Sequence, residues 1–329
     1  GLADLQAGIL RTPVSAEQSF DDDPLRMLRA ARFASQLGFD VGLEVMEAME
    51  QMAQRLEIVS AERIRAELER LLLSPYPRRG LELLVHTGIC DIVLPEVSAL
   101  QDTVDEHRRH KDVYEHTLTV LQQAMDLETG PDGDVPGPDL RLRLAALMHD
   151  IGKPATRRFM PDGTVTFHAH DYVGARMTAK RMRALHFDKQ TIKDVSRLVE
   201  LHLRFHGYAD SPWSDSAVRR YVTDAGPLLA RLGCLTRADV TTGNRRKAAM
   251  LSHAYDDLER RIEALREQEE LASIRPELDG QEIMAELGIK PGPEVGKAYK
   301  FLLDLRMERG PIGKELAREA LHSWWATQQ

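Results

Sequence analysis

Histidine and aspartate side chains recur in five successive segments of this chain, each beside or within an apolar helical stretch. They are His116, His149, Asp150, His170, His202 and Asp239. Imidazole nitrogens and carboxylate oxygens suit a divalent transition metal, and three or four such ligands leave positions open for water and a phosphate ester. Any one of these residues, taken alone, is more often a satisfied core histidine or a helix-end carboxylate. Their number and order together predict a metal centre.

This order resembles the HD phosphohydrolase superfamily, in which a histidine, an adjacent His-Asp pair and a distant aspartate hold the metal. The resemblance assigns the metal to four residues: His116, His149, Asp150 and Asp239. It makes His170 and His202 ligands of a second metal or contacts for phosphate, with Lys153 as a cation for the ester. Nickel, cobalt, manganese and magnesium ions all accept such nitrogen and oxygen ligands. His206 follows His202 by four residues and can share its helical face, but a histidine at a helix end is commonplace.

A second set of candidate residues lies in the stretch FDDDPLRMLRAARFASQLGF, where acids and a proline precede Arg26, Arg29 and Arg32 at helical spacing. One interpretation is a capped helix, begun by Pro24, whose arginines pair with nearby acids. The other is a site that reads a nucleobase. A carboxylate accepts from exocyclic amines, and a guanidinium donates to ring nitrogens and carbonyls. Spacing alone does not decide between them.

Three stretches, GLADLQAGILRTP, DDDPLRMLRAARFASQLGF and SAERIRAELERLLLSP, occur in the order seen in bacterial CCA-adding tRNA nucleotidyltransferases and poly(A) polymerases, which this chain resembles. In that family the first stretch ends the catalytic head, the second carries the nucleobase-recognising Glu-Asp-x-x-Arg motif, and the third is a neck helix. The resemblance assigns nucleotide binding to Asp4, Asp23, Arg26, Arg29, Arg63 and Glu67. Asp22 stands where the family usually has glutamate, which shortens the reach of that acid.

The resemblance implies an enzyme that adds C and A, or A alone, to the 3′ ends of tRNA or other RNA, using CTP, ATP and Mg²⁺. The family's Gly-rich strand and Asp-x-Asp pair hold magnesium for phosphoryl transfer, and neither precedes Gly1 in this sequence. We therefore expect this chain to be inactive in polymerisation by itself. Because some CCA-adding enzymes carry an HD unit after the neck, the two resemblances agree on domain order.

The implied domains are the end of the head at residues 1–19, the neck with its RNA-binding region at 20–105, the HD metal-binding domain at 106–243 and a helical tail at 244–329. Two alternatives remain at this stage. One is a stand-alone HD metallophosphohydrolase acting on nucleotides or cyclic phosphates, and the other is a non-catalytic RNA-binding module. Basic residues at helical spacing in ARMTAKRMRALHF and GNRRKAAM fit either tRNA phosphates or solvated helix faces.

The elements that must position these residues are mainly helices. Apolar residues recur three and four apart in six stretches: 25–37, 64–73, 114–125, 140–148, 192–203 and 228–235. RRFMPDGTVTFH predicts one short β-hairpin, and LETGPDGDVPGPD predicts a surface loop. A long charged helix over about 245–271 leads to two helices joined by a Gly-Pro turn. We predict an all-α protein with a multi-helix neck and body, an HD-type helical domain and a C-terminal helical tail.

Composition narrows the class of protein further. The 329 residues are 43% hydrophobic, and two cysteines make a disulfide framework or a cysteine zinc site improbable. A net charge of −8 argues against uniform nucleic-acid affinity, but a local basic stripe can still bind phosphates. No run approaches the roughly 18 apolar residues of a membrane span, and the start lacks the pattern of a secretory signal. We expect a cytoplasmic protein.

Overall fold

The computed structural model describes residues 1–101, 103, 113–205, 207–208, 211, 213–241, 244–269 and 275–328. Helices dominate these residues and the strands are short, which confirms the predicted all-α class. The chain divides into two compact units, Gly1–Leu203 with Ala230–Gly243, and Arg204–Leu229 with Asn244–Gln329. No helix within the described ranges is both long and apolar enough to cross a membrane. The domain limits given above stay predictions.

The first unit begins with helices and a small parallel sheet. The helices are α1 (Leu2–Ala7), α2 (Ala16–Asp22), α3 (Leu25–Leu37), α4 (Leu43–Met52), α5 (Ala61–Leu72), α6 (Pro77–His86), α7 (Ile89–Val93) and α8 (Pro95–Ser98). A 3₁₀ turn, Ala53–Ile58, joins α4 to α5. Strand β1 (Ile9–Leu10) pairs in parallel with β2 (Asp40–Val41). The sequence did not predict this sheet, because strands of two residues show no alternation of apolar and polar positions.

Helix α3 carries the three arginines and buries its opposite face. The buried residues are Leu25, Met27, Leu28, Ala31, Ala34 and Ser35. Gly38 ends the helix in the left-handed conformation, with φ of 69°, as is common after a helix C-terminus. Helix α3 packs on α5 and α6. A Cβ on Gly80 of α6 would lie 2.7 Å from the Ala31 carbonyl oxygen, so this approach requires glycine.

The first unit continues with helices around a short hairpin. These elements are α9 (Val113–Asp126), α10 (Leu140–Met148), α11 (Lys153–Thr156), β3 (Arg158–Phe159), β4 (Val165–Thr166), α12 (His170–Ala184) and α13 (Lys189–Leu201). The predicted hairpin forms, with Arg158 opposite Thr166. After α14 (Asp215–Ala225) and a 3₁₀ turn, Gly226–Leu228, which belong to the second unit, the chain returns through α15 (Leu229–Ala238).

Helix α10 lies in the interior of the first unit. Every residue from Leu142 to Met148 is buried, and Asp139 caps the helix by accepting a hydrogen bond from the Leu142 N–H at 2.8 Å. The helix packs on α9, α13 and α5. Because α10 is enclosed on all sides, the residues that follow its C-terminus are fixed in position.

A buried arginine joins α10 to the end of α5. The Nη1 of Arg143 donates to the carbonyl oxygens of Leu72 and Ser74, at 2.7 and 2.9 Å. Its Nε and Nη2 donate to the two carboxylate oxygens of Glu128, each at 2.7 Å. The side chains of Arg143 and Glu128 are 6% and 8% exposed. Arg143 thus satisfies carbonyls that the C-terminus of α5 leaves without intrahelical partners.

The second unit contains the remaining helices, α14 together with α16 (Arg245–Glu269), α17 (Gly280–Leu287), α18 (Pro293–Arg309) and α19 (Lys314–Ala326). Its C-terminal part has an apolar core formed by Leu278, Ile283, Ala298, Leu302, Ala317 and Leu321. Gly288, with φ of 63°, ends α17, and Pro293 begins α18. These are the two helices and the Gly-Pro turn that the sequence predicts.

Candidate functional site

Five of the predicted metal-centre residues form two groups that share Asp150. In the first group, Nε2 of His116 and Nε2 of His149 lie 3.4 and 3.2 Å from Oδ2 of Asp150, and 3.2 Å from each other. In the second, Nε2 of His170 and Nε2 of His202 lie 3.3 and 4.0 Å from Oδ1 of Asp150. Within each group the candidate ligand atoms are all within 4.8 Å of one another. One carboxylate therefore faces two clusters of imidazole nitrogens.

Asp239 completes the first group. Its Oδ1 is 3.0 Å from Nε2 of His116 and 3.6 Å from Nε2 of His149. The structure thus brings together the four residues to which the HD resemblance assigns the metal. His206, considered as a further neighbour of His202, lies outside the described residues.

Helix ends place most of these side chains. His149 and Asp150 follow α10, His170 is the first residue of α12, and His202 follows α13. Asp239 directly follows α15, whereas His116 lies inside α9. Because α13 packs on both α10 and α12, the ends of these helices come together at a buried point.

Backbone carbonyls orient three of the rings in the same way. The Nδ1 of His149, His170 and His202 lies 2.6–2.8 Å from the carbonyl oxygen three residues earlier in the chain. A ring that donates from Nδ1 presents the lone pair of Nε2, and here Nε2 points toward Asp150. The fourth ring, His116, has Nδ1 3.0 Å from Oγ1 of Thr241. This orientation is the one that metal-ligating histidines require.

Electrostatics also fit a cation. Burial lowers the pKa of His149, but the carboxylates of Asp150 and Asp239 prevail and raise it to about 10. Burial and the neighbouring His149 lower the pKa of His202 to about 4, so that ring stays neutral. Burial raises the pKa of Asp150, but His149 and Lys153 hold it well below its usual value. The carboxylates therefore favour positive charge at this point: a proton on His149 when no ion is bound, which a metal would displace from Nε2 on binding.

Two buried ring nitrogens strengthen this fit. The Nε2 atoms of His170 and His202 make no well-formed hydrogen bond to any described residue, although His202 is fully enclosed. Buried polar atoms without partners are rare in folded proteins. Lys153, predicted as a cation for an ester, has Nζ 2.8 Å from Oδ2 of Asp150 and 5.6 Å from the ring centre of Phe167. The donor set suits one or two divalent ions held by nitrogen and oxygen.

The second candidate site surrounds the N-terminus of α3. The Nη2 of Arg63, on α5, donates to both carboxylate oxygens of Asp23 at 3.3 Å. The Nη1 of Arg29 lies 3.6 Å from Oδ2 of Asp23. Arg26 instead donates to the carbonyl and hydroxyl oxygens of Ser19 at 3.2 and 3.1 Å. Asp23 and Arg26, predicted as a base-reading pair, thus have separate partners in this structure.

Glu67 of α5 forms ion pairs with arginines of α3. Its side chain is 5% exposed, and its carboxylate lies 2.6 Å from Nε of Arg32, 3.6 Å from Nε of Arg29 and 3.8 Å from Nη1 of Arg70. The Cζ of Arg32 lies 4.1 Å from the ring centre of Phe33. Glu67 and Arg32 therefore brace the helix, and Arg29 is held between Glu67 and Asp23.

A cavity of about 490 Å³ opens beside this arginine cluster. The lining residues are Leu10, Arg11, Thr12, Pro13, Val14, Ser19, Phe20, Asp22, Arg26, Arg29, Ala30, Phe33 and Val45. Of the predicted nucleotide-binding residues, Arg26 and Arg29 line it. Asp23, Arg63 and Glu67 support the cluster without lining the cavity. Asp4 lies behind Arg11, with Oδ1 3.3 Å from its Nε.

Arg11 and Phe33 line this cavity but are not among the nucleotide-binding residues predicted from the sequence. Arg11 stands in the first stretch that carries the family resemblance, GLADLQAGILRTP, and its positive charge was a usable signal. Phe33 is 40% exposed, although it belongs to an otherwise well-packed helix. Helical periodicity does not predict that Phe33 lines a cavity, because the opposite wall comes from the loop containing Arg11, which lies elsewhere in the chain.

Comparison with known proteins identifies the family. A family model described as "Probable RNA and SrmB- binding site of polymerase A" matches residues 38–100, and one described as "HD domain" matches residues 113–244. The A-adding tRNA nucleotidyltransferase of Deinococcus radiodurans is 35% identical over 336 residues, covering 100% of this chain and 74% of that protein. The chain belongs to the tRNA nucleotidyltransferase family.

Two further comparisons agree with this membership. The CC-adding tRNA nucleotidyltransferase of Thermus thermophilus is 36% identical over 324 residues, covering 96% of this chain and 69% of that protein. The crystal structure of the Bacillus stearothermophilus CCA-adding enzyme in complex with CTP shares the fold, with a TM-score of 0.61 at 18% identity, covering 99% of this chain and 68% of that chain. The predicted family and the predicted enzyme class, nucleotidyltransferase, are confirmed.

Proposed function

We propose that the arginine cluster reads the base of an incoming CTP or ATP during nucleotide addition to the 3′ end of tRNA, a reaction served by Mg²⁺. The observation that carries this proposal is the cavity lined by Arg26, Arg29 and Asp22 in a chain of this family. Guanidinium groups donate to the ring nitrogens and carbonyls of a base, and a carboxylate accepts from its exocyclic amine. Such a reaction on tRNA belongs in the cytoplasm.

The support behind the cavity fixes the direction of these donors. Asp23 and Glu67 both contact Arg29, and Arg63 approaches Asp23 from α5. A guanidinium held by two carboxylates has few alternative rotamers, so its remaining N–H groups point into the cavity. We assign Asp23, Arg63 and Glu67 to positioning and Arg26 and Arg29 to contact with the base. Asp4 acts through Arg11.

Arg29→Ala, made in a protein that includes a catalytic head, tests this assignment. Losing one well-placed hydrogen-bonding partner costs about 1–3 kcal/mol, so we expect discrimination of CTP and ATP against UTP and GTP to fall about 5-fold or more. Incorporation of each nucleotide into tRNA lacking its CCA end gives the measurement. Arg55→Ala is the control, since Arg55 pairs with exposed Asp21 outside the cavity. Unchanged nucleotide preference in Arg29→Ala would contradict the proposal.

We further propose that the HD centre is a metal-dependent phosphohydrolase within the same protein. The observation that carries this proposal is the Asp150 carboxylate shared by two histidine groups. A bound divalent ion, whether Ni²⁺, Co²⁺, Mn²⁺ or Mg²⁺, would lower the pKa of a water molecule and polarise a phosphoryl oxygen. The residues that would hold this ion are His116, His149, Asp150 and Asp239. His170 and His202 would hold a second ion or contact the phosphate.

Lys153 has a separate role in this proposal. Its ammonium group contacts Asp150 and lies over Phe167, at the edge of the centre. A cation there can pair with a phosphate oxygen of the ester without leaving the carboxylate. The proposed domain limits stay those predicted: the end of the head at 1–19, the neck at 20–105, the HD domain at 106–243 and the tail at 244–329.

Metal analysis and ester hydrolysis test the HD centre together. We expect purified protein to retain a divalent metal and to hydrolyse a 2′,3′-cyclic nucleotide or an aryl phosphate when supplied with one of the four metals. Asp150→Asn should lose both properties. Asp171→Asn is the control, because Asp171 lies on the first turn of α12 outside both groups. Wild-type protein that neither retains metal nor cleaves either ester would refute the proposal.

A further inference from the structure

The segment between Lys153 and Arg183 is strongly basic in an acidic chain. It contains seven lysine and arginine residues and two aspartates, whereas the whole chain has a net charge of −8. This segment includes α11, the β3–β4 hairpin and α12. Concentrated positive charge on one part of an acidic protein is typical of a surface that binds phosphates.

Helix α12 directs its charges to one exposed face. Arg176, Lys180 and Arg183 are exposed and lie four and three residues apart, and Tyr172 lies one turn earlier on the same face. The opposite face is buried on α13. None of these three cations forms an ion pair with a residue that the structure describes. By contrast, Arg55, Arg79 and other exposed arginines of the first unit pair with acids.

Exposed aromatic rings accompany these charges. Phe159 at the hairpin is 73% exposed and Tyr172 is 55% exposed. Each ring has a guanidinium beside it, since Cζ of Arg157 lies 5.5 Å from the centre of Phe159 and Cζ of Arg176 lies 6.0 Å from that of Tyr172. We call Arg158, Phe159, Tyr172, Arg176, Lys180 and Arg183 the basic aromatic surface.

Both arms of this surface start at the HD centre. Helix α12 begins at His170, so Tyr172 lies about 3 Å and Arg183 about 20 Å farther along the helix axis. The hairpin lies between Lys153 and His170 in the chain, and the residue after β4, Phe167, provides the carbonyl that orients His170. The surface therefore adjoins, along the helix axis, the end of α12 at which His170 enters the centre, and a bound strand would pass around that end to reach it.

We propose that the basic aromatic surface binds the last nucleotides of a single-stranded nucleic acid and delivers its 3′-terminal phosphate ester to the HD centre. This inference rests on the proposed phosphohydrolase function and names its substrate class. Bases stack on Phe159 and Tyr172, and phosphates pair with the arginines and the lysine. In the reaction water adds at phosphorus, one P–O ester bond breaks, and the departing oxygen takes a proton from that water. A free mononucleotide lacks most of these contacts.

Binding without metal tests the surface independently of hydrolysis. The probe is a fluorescent single-stranded RNA of about eight nucleotides, mixed with chelator-treated protein and followed by anisotropy. Each phosphate neutralised on a single strand contributes about −0.7 to the slope of log K against log salt. The variant Arg176→Gln, Lys180→Gln, Arg183→Gln should therefore flatten the slope by about 2 and weaken binding at least 10-fold.

A matched triple variant on α13 controls for net charge. Lys189→Gln, Lys193→Gln, Arg197→Gln removes three cations at similar helical spacing from the helix packed against α12. We expect it to keep the wild-type slope and affinity. Equal losses in the two triple variants would overturn the assignment to α12, and tighter binding of duplex than of single-stranded RNA would overturn the choice of a single strand as the ligand.

Substitution of the rings tests stacking. Phe159→Ser and Tyr172→Ser should each weaken RNA binding about 5-fold or more, with an unchanged salt slope, because a stacked base is lost but no phosphate contact is. Both rings are exposed, so the melting temperature should stay at the wild-type value. Wild-type affinity in both variants would remove the aromatic part of the proposal. A DNA strand of the same sequence distinguishes RNA from general single-strand binding.

Hydrolysis gives the last comparison. An oligonucleotide ending in a 2′,3′-cyclic phosphate should have a kcat/KM at least 10-fold above that of the cyclic mononucleotide, and the α12 triple variant should reduce that ratio. Equal kcat/KM values for the two substrates would overturn the inference. If wild-type protein binds RNA in this way but hydrolyses neither substrate, the phosphohydrolase proposal fails while the binding surface stands.

Discussion

At the scale of single residues, Gly152 controls how closely two backbone segments approach in the HD centre. A Cβ there would overlap the His170 carbonyl oxygen and lie 2.7 Å from the Gly174 nitrogen. Gly152 follows Asp150 by two residues, and His170 begins α12. The distance between the turn after Asp150 and the start of α12 therefore depends on a backbone contact at Gly152 that leaves no room for a side chain.

Gly152→Ala should separate α12 from the turn after α10. We expect a loss of about 1–3 kcal/mol in the free energy of unfolding, since the overlapping atoms are backbone. Gly233→Ala is the opposite case, because Gly233 lies inside α15 with open space around its Cβ position and should gain about 0.5–1 kcal/mol. Urea denaturation measures both. Gly152→Ala protein as stable as wild type would contradict the packing described.

Glu67→Gln tests the buried ion pairs between Glu67 and the arginines of α3. The substitution keeps the shape but removes the charge that faces Arg32 and Arg29, and hydrogen bonds to charged groups contribute about 1.5–3 kcal/mol. We expect a destabilisation of that size in urea. Asp40→Asn is the control, since Asp40 is 82% exposed beside Arg79 and should cost less than about 1 kcal/mol. Equal destabilisation in the two variants would mean that the buried ion pairs of Glu67 contribute no more than an exposed pair.

Residue types and order predicted which side chains meet, but not how they pair. The six residues of the His-Asp order lie close together in the structure, and their binding of a metal stays a prediction. The partners of Asp23 and Arg26 were not predictable. Ser19 and Arg63, which they contact, come from α2 and α5, and only the packing of α3 on those helices selects them.

At the scale of elements, the boundaries of α3 and α10 match the predicted stretches, since strong apolar periodicity and clear end signals coincide there. The pairing of β1 with β2 was not predictable, because the two strands are thirty residues apart and have two residues each. Neither was the link between α10 and α5 through Arg143. A charged residue inside an apolar helix pattern is normally placed on the solvent side.

Arg143→Met should show how much this link contributes. Removing one partner of a buried ion pair costs about 3–5 kcal/mol, because Glu128 would stay buried without its counter-charge. The carbonyls of Leu72 and Ser74 would also lose their donor. Arg78→Met is the control, since Arg78 pairs with Glu82 and Glu115 at a partly exposed site and should cost about 1 kcal/mol. Chemical denaturation that gives similar values for both variants would contradict this account.

At the scale of the whole molecule, the two compact units differ in the candidate metal ligands that their described residues contain. Both histidine groups lie in the first unit. A ligand that binds only folded protein stabilises it by about 2.7 kcal/mol at 100 times its dissociation constant. For a unit of this size that corresponds to a rise of about 5–10 °C in melting temperature.

Calorimetry with and without metal should therefore move one transition. We expect added divalent metal to raise the melting temperature of the first unit and to leave that of the second unchanged. Asp150→Asn should abolish the shift. A shift that persists in Asp150→Asn would place the metal elsewhere, and equal shifts of two separate transitions would argue against a metal centre confined to the first unit.

The first unit consists of two separate stretches of the chain, so a ribosome completes the first stretch before it makes the second. Asp239 follows Asp150 by 89 residues, and the chain enters the second unit before it returns through α15. At about 5–20 residues per second, a ribosome needs roughly 5–18 s to make that segment. During this interval the nascent chain holds His149 and Asp150 without Asp239. We expect ribosome-bound chains halted before residue 230 to retain less metal than released protein, and equal retention would show that Asp239 is dispensable for loading.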